Sequence, residues 1–201
     1  MTIIADILSA SRTVSTGRTP SPVLALMMSE LGALYQEELI VQGRSHRLPA
    51  AEGPLGEAVD VLICAIDLAV ISKPNFEEAA LASGLSGNPG DQDLIGTAIA
   101  TCPETGNSPE ELLHAIAVFA GKLAESVLSQ GRETSGSAQD QTASWAVSLV
   151  SLVVAYLLSR KPDLSTADIK PVVRRKLPTW TAALRKLAST EVGAGAGQKE
   201  A

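Results

Sequence analysis

The stretch Leu55-Gly-Glu-Ala-Val-Asp-Val-Leu-Ile-Cys-Ala-Ile-Asp-Leu-Ala69 decides the fold class. It is an apolar cylinder interrupted by only three charges, Glu57, Asp60 and Asp67. At 100° per residue Asp60 lies about 60° from Glu57 and Asp67 about 80°, so a helix puts all three carboxylates on one side. The helix expected before it behaves alike, with Glu30 and Glu37 seven residues apart and almost aligned.

Working outward, the same pattern of elements occurs twice. A shift of 88 positions brings Leu24 onto Leu112, Glu37 onto Glu125, Gln42-Gly43-Arg44 onto Gln130-Gly131-Arg132, Ala58-Val59 onto Ala146-Val147 and Lys73-Pro74 onto Lys161-Pro162. A fixed period of this kind marks duplication of one supersecondary unit. Each unit opens on a Pro-containing cap, Thr19-Pro20-Ser21 or Ser108-Pro109-Glu110, suited to a helix start. A long helix follows, over 21–42 or 108–130, the first ending at Gly43 where a left-handed residue stops helices. A polar loop leads to a second long helix, 55–71 or 142–159, and a shorter helix is expected from Asn75 or Asp163, each a good cap. At about 90 residues neither unit buries two amphipathic faces alone. The reading is therefore an all-α helical bundle in which two repeats pack as an intramolecular pseudo-dimer. Its parts are a first repeat over 1–88, a second over 89–190, and a Gly- and Ala-rich tail over 191–201 expected to be disordered.

Composition agrees: of 201 residues 45% are apolar and only 3% aromatic, and β-branched runs are short. Sixteen Lys and Arg against 22 Asp and Glu leave a formal charge of −6, the wrong sign for a general nucleic-acid binder. Cys64 and Cys102, 38 positions apart with no neighbouring Cys or His at ligand spacing, read as reduced thiols of a cytoplasmic protein. Met1–Ser11 has Asp6 in its apolar stretch and no basic lead, so it does not read as a secretory signal. Gln141–Ser159 runs 19 residues without a charge, close to a membrane span. Ser144, Ser148 and Ser151 recur at helical spacing within it, and with no second such run evident it reads as a buried helix of a protein with no membrane partner.

Carboxylates gathered in partly buried surroundings repel one another and lose hydration, so cations must offset them. Oxygen-only ligation suits Mg²⁺, which keeps waters and recruits phosphate oxygens, so a phosphate-bearing substrate is implied. The blander reading is a solvated helix face, and it is taken for Glu38, Glu52, Glu77 and Glu78. For the rows themselves the second repeat provides a comparison. There Glu30 becomes Val118, Glu57 becomes Trp145, Asp60 becomes Ser148 and Asp67 becomes Ala155. Only Glu37 keeps an acid, as Glu125, so the unit holds its frame and loses most of these charges, as a working half and a supporting half would.

Met28-Ser-Glu-Leu-Gly-Ala-Leu-Tyr-Gln-Glu-Glu38 followed by Gly56-Glu-Ala-Val-Asp-Val-Leu-Ile63 resembles the all-α nucleoside triphosphate pyrophosphatases, the MazG-like and dimeric dUTPase-like superfamily. That family carries Glu-x-x-Glu on one helix and Glu-x-x-Asp on the next. Glu30 matches the first acid, and Glu57 and Asp60 match the second pair. Asp163-Leu-Ser-Thr-Ala-Asp168 and Arg174-Arg-Lys-Leu-Pro-Thr-Trp180 look like its closing helix. The resemblance implies a Mg²⁺-dependent hydrolase cleaving a nucleoside triphosphate to monophosphate and pyrophosphate. Glu30, Glu57 and Asp60 are then the catalytic and metal-binding acids, with Glu37 and Asp67 as further ligands. Ala33 stands where the family has its second Glu, so a ligand is missing unless Glu37, one turn on, substitutes. In place of the Lys and Asn of the family's closing helix, the first repeat has Ala79–Gly84. A non-catalytic nucleotide-binding or helical interaction protein of the same fold is the alternative. The family's paired subunits would be mimicked within one polypeptide, and association into a homo-oligomer is left open.

Arg44, His46, Arg47 and Lys73 are the candidates for contacting the triphosphate. Arg44 and Lys73 have twins in the acid-poor repeat and sit near helix C-termini, where a cation is favourable anyway, so a structural role weighs more. His46 and Arg47 are equally well read as a solvated loop. His114 reads as incidental, and Cys64 as a small core residue. From Arg160 to Lys186 eight basic residues face Asp163 and Asp168 alone, an excess that would attract an anionic nucleotide or simply line an exposed face.

Overall fold

A computed structural model describes residues 3–14, 19–73, 98, 107–130 and 136–196 of the chain. All regular structure among them is helical: α1 Ile3–Arg12, α2 Pro20–Val41, α3 Gly53–Ser72, α4 Pro109–Gln130, α5 Gly136–Arg160 and α6 Thr166–Ala196. The short helix expected from Asn75, the link between repeats, Cys102, Glu77 and Glu78 lie outside the described residues.

Local chemistry sets the boundaries. Pro20 starts α2 behind an extended Thr19, where a missing N–H costs nothing. The helix stops at Gly43, whose φ is +68°. The Arg44 N–H there reaches back to the Leu39 carbonyl at 2.8 Å, the six-to-one closure of a left-handed C-cap. Ahead of α4, the Ser108 hydroxyl accepts from the Glu111 N–H while the Glu111 carboxylate accepts from the Ser108 N–H at 2.7 Å. This reciprocal cap satisfies two orphan donors and holds the Glu111 carboxyl below its usual range.

The closing helix departs from the sequence reading at both ends, and α5 starts at Gly136 rather than 142. The closing helix begins at Thr166 rather than Asp163, because Ser165 donates its N–H and hydroxyl to Asp168 and so makes the cap. It also runs to Ala196, beyond the point where the Gly- and Ala-rich stretch was expected to break order. Extending an existing helix adds one backbone bond per residue fixed, and Ala favours it.

α3 is apolar apart from Glu57, Asp60 and Asp67 and is buried over most of its length, which makes it the central rod. α2 packs against α3, α4 packs against α5, and α3 against α5 joins the two pairs. α1 and α6 pack on each other and on α3, with α6 also reaching α2. Val61, Leu62 and Ile66 from α3 and Val150, Val153 and Val154 from α5 belong to one continuous core with Leu34, Ile116 and Ile169. Across the pairs, the Tyr35 hydroxyl donates to the Leu113 carbonyl at 3.0 Å. Ser148 and Ser151, singled out as the polar stripe of α5, return their hydroxyls to the carbonyls of Ser144 and Val147, which satisfies them inside an apolar helix.

The expectation of one span-like stretch is corrected. Pro109–Ser129 as well as Ala138–Arg160 is long and apolar enough to cross a membrane by length and composition. The charges at Glu110, Glu111, Lys122 and Glu125 hide the first when only uncharged runs are sought. Both pack within the bundle, and 61% of the Ala138–Arg160 window is buried.

Candidate metal centre

Three helices build the centre. Glu30 comes from the middle of α2, Glu57 and Asp60 from the first half of α3, and Lys176 from α6, which crosses above them. One carboxylate oxygen from each of Glu30, Glu57 and Asp60 lies within 4.8 Å of the others. All three side chains are half-buried.

Electrostatics follow from that crowding. Burial, then the carboxylates of Asp60 and Glu57, push the Glu30 carboxyl up to about 6. Burial also raises Glu57, against the pull of Lys176, and raises Asp60 although the Lys176 ammonium donates to it. Burial alone would favour the neutral amine of Lys176, but the carboxylates of Asp60, Glu57 and Glu52 outweigh it and hold its proton on. Negative charge is thus concentrated beyond what the local surroundings solvate, and one ammonium offsets part of it.

Glu37 and Asp67, expected as further ligands, are outside this group of three. Glu37 is buried, and one of its oxygens accepts the Ala50 N–H at 2.9 Å. It therefore ties down the loop that leads into α3, and its other oxygen is buried without a hydrogen-bond partner. Asp67 lies two turns beyond Asp60, fully buried, and accepts from the Ser11 hydroxyl of α1. At nearly the same angle as Asp60, two turns and about 10 Å of rise carry it away from the cluster toward α1.

Arg44 pairs with Glu110 at 3.6 Å and Lys73 with Asp140 at 3.2 Å, so both join the first helix pair to the second, in line with the structural role that weighed more. His46 and Arg47 are exposed on the loop between α2 and α3. His114 is exposed, with its ring nitrogen at 3.2 Å from the Glu110 carbonyl. Cys64 is fully buried one turn below Asp60, and burial drives its thiol well above the ordinary range, as befits a core residue.

Two acids read as solvated are not. Glu38 is 3% exposed. It accepts from the Tyr156 hydroxyl at 2.8 Å and from Gln42 at 2.9 Å, and it pairs with Arg160, all but Gln42 on α5. Glu52 pairs with Arg175 and, at 3.8 Å, with Lys176. Helix periodicity alone places Glu37 and Glu38 side by side and cannot say that α5 covers the second. Lys176 itself was passed over within a basic stretch. Its spacing was legible: Ile169, Val173 and Trp180 stand seven and three residues before it and four after, and all are buried, so Lys176 lies on the inward face of α6.

In the second helix pair the positions corresponding to Glu30, Glu57 and Asp60 hold Val118, Trp145 and Ser148. Trp145, in the place of Glu57, meets Phe119 edge to face with ring centroids 5.4 Å apart, and the Lys122 ammonium lies over both rings. Aromatic and cation–π contact replaces carboxylate repulsion there. No family model, no curated protein and no solved structure matches the chain.

Proposed function

We propose that the chain is a Mg²⁺-dependent nucleoside triphosphate pyrophosphohydrolase of MazG-like type, built from a working and a degenerate repeat. The observation that carries this reading is the convergence of Glu30, Glu57 and Asp60 from two helices to within 4.8 Å. The donor set fits the ion: three hard oxygen donors, half-buried, whose proton affinity is raised first by burial and then by neighbouring carboxylates. Glu30, Glu57 and Asp60 would hold the ion, which when bound neutralises phosphate charge and makes an attacking water more acidic. The protein's own part is to fix these oxygens on rigid helices, Glu57 and Asp60 on the buried central rod and Glu30 across from them. His46 and Arg47, on the loop that ends at Glu52, are the chain's candidates for the triphosphate tail. On the same reading the protein is cytoplasmic, with a nucleotide and neither nucleic acid nor membrane as its partner.

A panel of ordinary and modified nucleoside triphosphates with Mg²⁺ should yield pyrophosphate from at least one member, and Glu57→Gln should abolish the release. Silence across the panel, or a Glu57→Gln protein indistinguishable from wild type, overturns the hydrolase reading. One observation favours a second reading, a non-catalytic nucleotide-binding or helical interaction protein. Glu37, the acid one turn beyond Ala33 that would replace the missing ligand, accepts the Ala50 N–H through one of its oxygens. Mg²⁺-dependent nucleotide binding without turnover, read by calorimetry, would select it.

A further inference from the structure

Lys176 places a fixed positive charge against the carboxylates that a metal ion would use. Its ammonium donates to Asp60 Oδ2 and stands 3.8 Å from Glu52 Oε2. Lys176 and Asp60 are the more enclosed partners, with side chains 19% and 16% exposed. The approach is built in: Gly56 lies on α3 one residue before Glu57, and a Cβ there would stand 3.3 Å from Lys176 Cε. The absent side chain leaves the channel along which the lysine stem enters.

We propose that Lys176 is the resident counter-ion of the acidic cluster, and that a divalent cation enters by displacing its ammonium from Asp60 toward Glu52, so that cation uptake is an exchange. This rests on the reading of Glu30, Glu57 and Asp60 as a cation site. A divalent ion on Asp60 would repel the ammonium held by the same carboxylate and weaken its hydrogen bond. A divalent ion can bind all three acids at once, whereas the ammonium hydrogen-bonds only Asp60 among them. The displaced group has a destination: Glu52 Oε2 is buried with no hydrogen-bond partner, and Arg175 holds the other oxygen of that carboxylate in place. A lysine stem of four methylenes makes such a move with little backbone cost. The exchange keeps the cluster neutralised when no metal is present, and it sets the metal's apparent affinity below what the three acids alone would give.

The test uses the full chain and Mn²⁺ alone. Binding is followed by titration of wild type, Lys176→Met and Glu57→Gln. In parallel, wild type is treated with an amine-acylating reagent with and without saturating Mn²⁺, and modification at Lys176 is read by mass spectrometry. Acylation needs the neutral, accessible amine, so Lys176 should react slowly in the metal-free protein, where Asp60 and Glu52 both hold it, and several-fold faster once Mn²⁺ leaves it only Glu52, a carboxylate it shares with Arg175. Lys176→Met should bind Mn²⁺ about tenfold more tightly, or better, equivalent to roughly 1.4 kcal/mol. Acylation unchanged or slowed by Mn²⁺ overturns the exchange, as does an affinity in Lys176→Met equal to or below wild type. If wild type binds Mn²⁺ and Glu57→Gln does not, such a failure falls on the exchange alone. If neither wild type nor Lys176→Met binds, the cation-site reading falls with it. The acylation arm needs no substitution, so it decides the matter even if Lys176→Met does not fold.

Discussion

Replacing Glu30 by Gln should make the metal-free protein more stable at neutral and alkaline pH, a gain obtained by deleting a functional group. The Glu30 carboxyl rises from its ordinary 4.5 to about 6 through burial and then the neighbouring Asp60 and Glu57. A rise of that size corresponds to roughly 2 kcal/mol of destabilisation of the charged form. The side chain is only half-buried, and solvent screening brings the expected cost to about 1 kcal/mol. Because the folded-state value lies above the unfolded one, the folded chain takes up the proton first as pH falls. Stability therefore rises as pH drops from about 6 to about 4.5, and the penalty is present in full only above that window. Urea unfolding with a chelator present, repeated across pH, should find Glu30→Gln more stable than wild type by about 1 kcal/mol near pH 8, with the gap closing below about pH 4.5. Added Mg²⁺ should stabilise wild type and leave the variant behind, reversing the order. A variant that is less stable near pH 8, or a gap that does not change with pH, refutes the electrostatic account of the cluster.

Elsewhere the structure makes predictions independent of any ligand. Tyr156→Phe removes a hydrogen bond to the buried Glu38 carboxylate and should cost about 1.5–3 kcal/mol in denaturant unfolding. Arg160→Met, which leaves that carboxylate without its ion pair, should cost more, about 3–5 kcal/mol. Gly56→Ala would place a Cβ 2.6 Å from Glu52 Cβ. It should lower the melting temperature despite a helix-propensity gain of about 1 kcal/mol, for a net loss of roughly 1–2 kcal/mol. Lys73→Ala breaks the pair with the largely exposed Asp140 and should shift stability by less than about 1 kcal/mol, a contrast with Arg160 within the same fold.

The helical frame was legible because it is written locally. Thr19-Pro20, Gly43, Ser108-Pro109 and the pair Lys73-Pro74, whose proline cannot continue a helix, each act on their own neighbours, and the helices start or end within a few residues of those signals. Of the acidic trio only the pair was legible that way: 3.6 residues per turn fixes Glu57 against Asp60, whereas Glu30 was joined to them by the family resemblance. What the chain could not disclose locally was cover. Glu38 is buried because Tyr156, 118 positions away, lies over it. Glu37 and Asp67 belong to the same helical rows as the trio, yet the Ala50 backbone and Ser11 claim them. Lys176 shows the limit most clearly, since its inward position follows from α6 alone but its partners follow only from how α6 crosses α3.

The account depends on Glu30, Glu57 and Asp60 jointly holding a divalent cation, and diffraction from crystals soaked in Mn²⁺, recorded at a wavelength where manganese scatters anomalously, tests this most directly. The account predicts one strong anomalous peak bounded by those three carboxylates, at about 2.1 Å from the nearest oxygens, with the Lys176 ammonium withdrawn from Asp60. A cluster without a peak, and with Lys176 still bonded to Asp60 at saturating Mn²⁺, would contradict it.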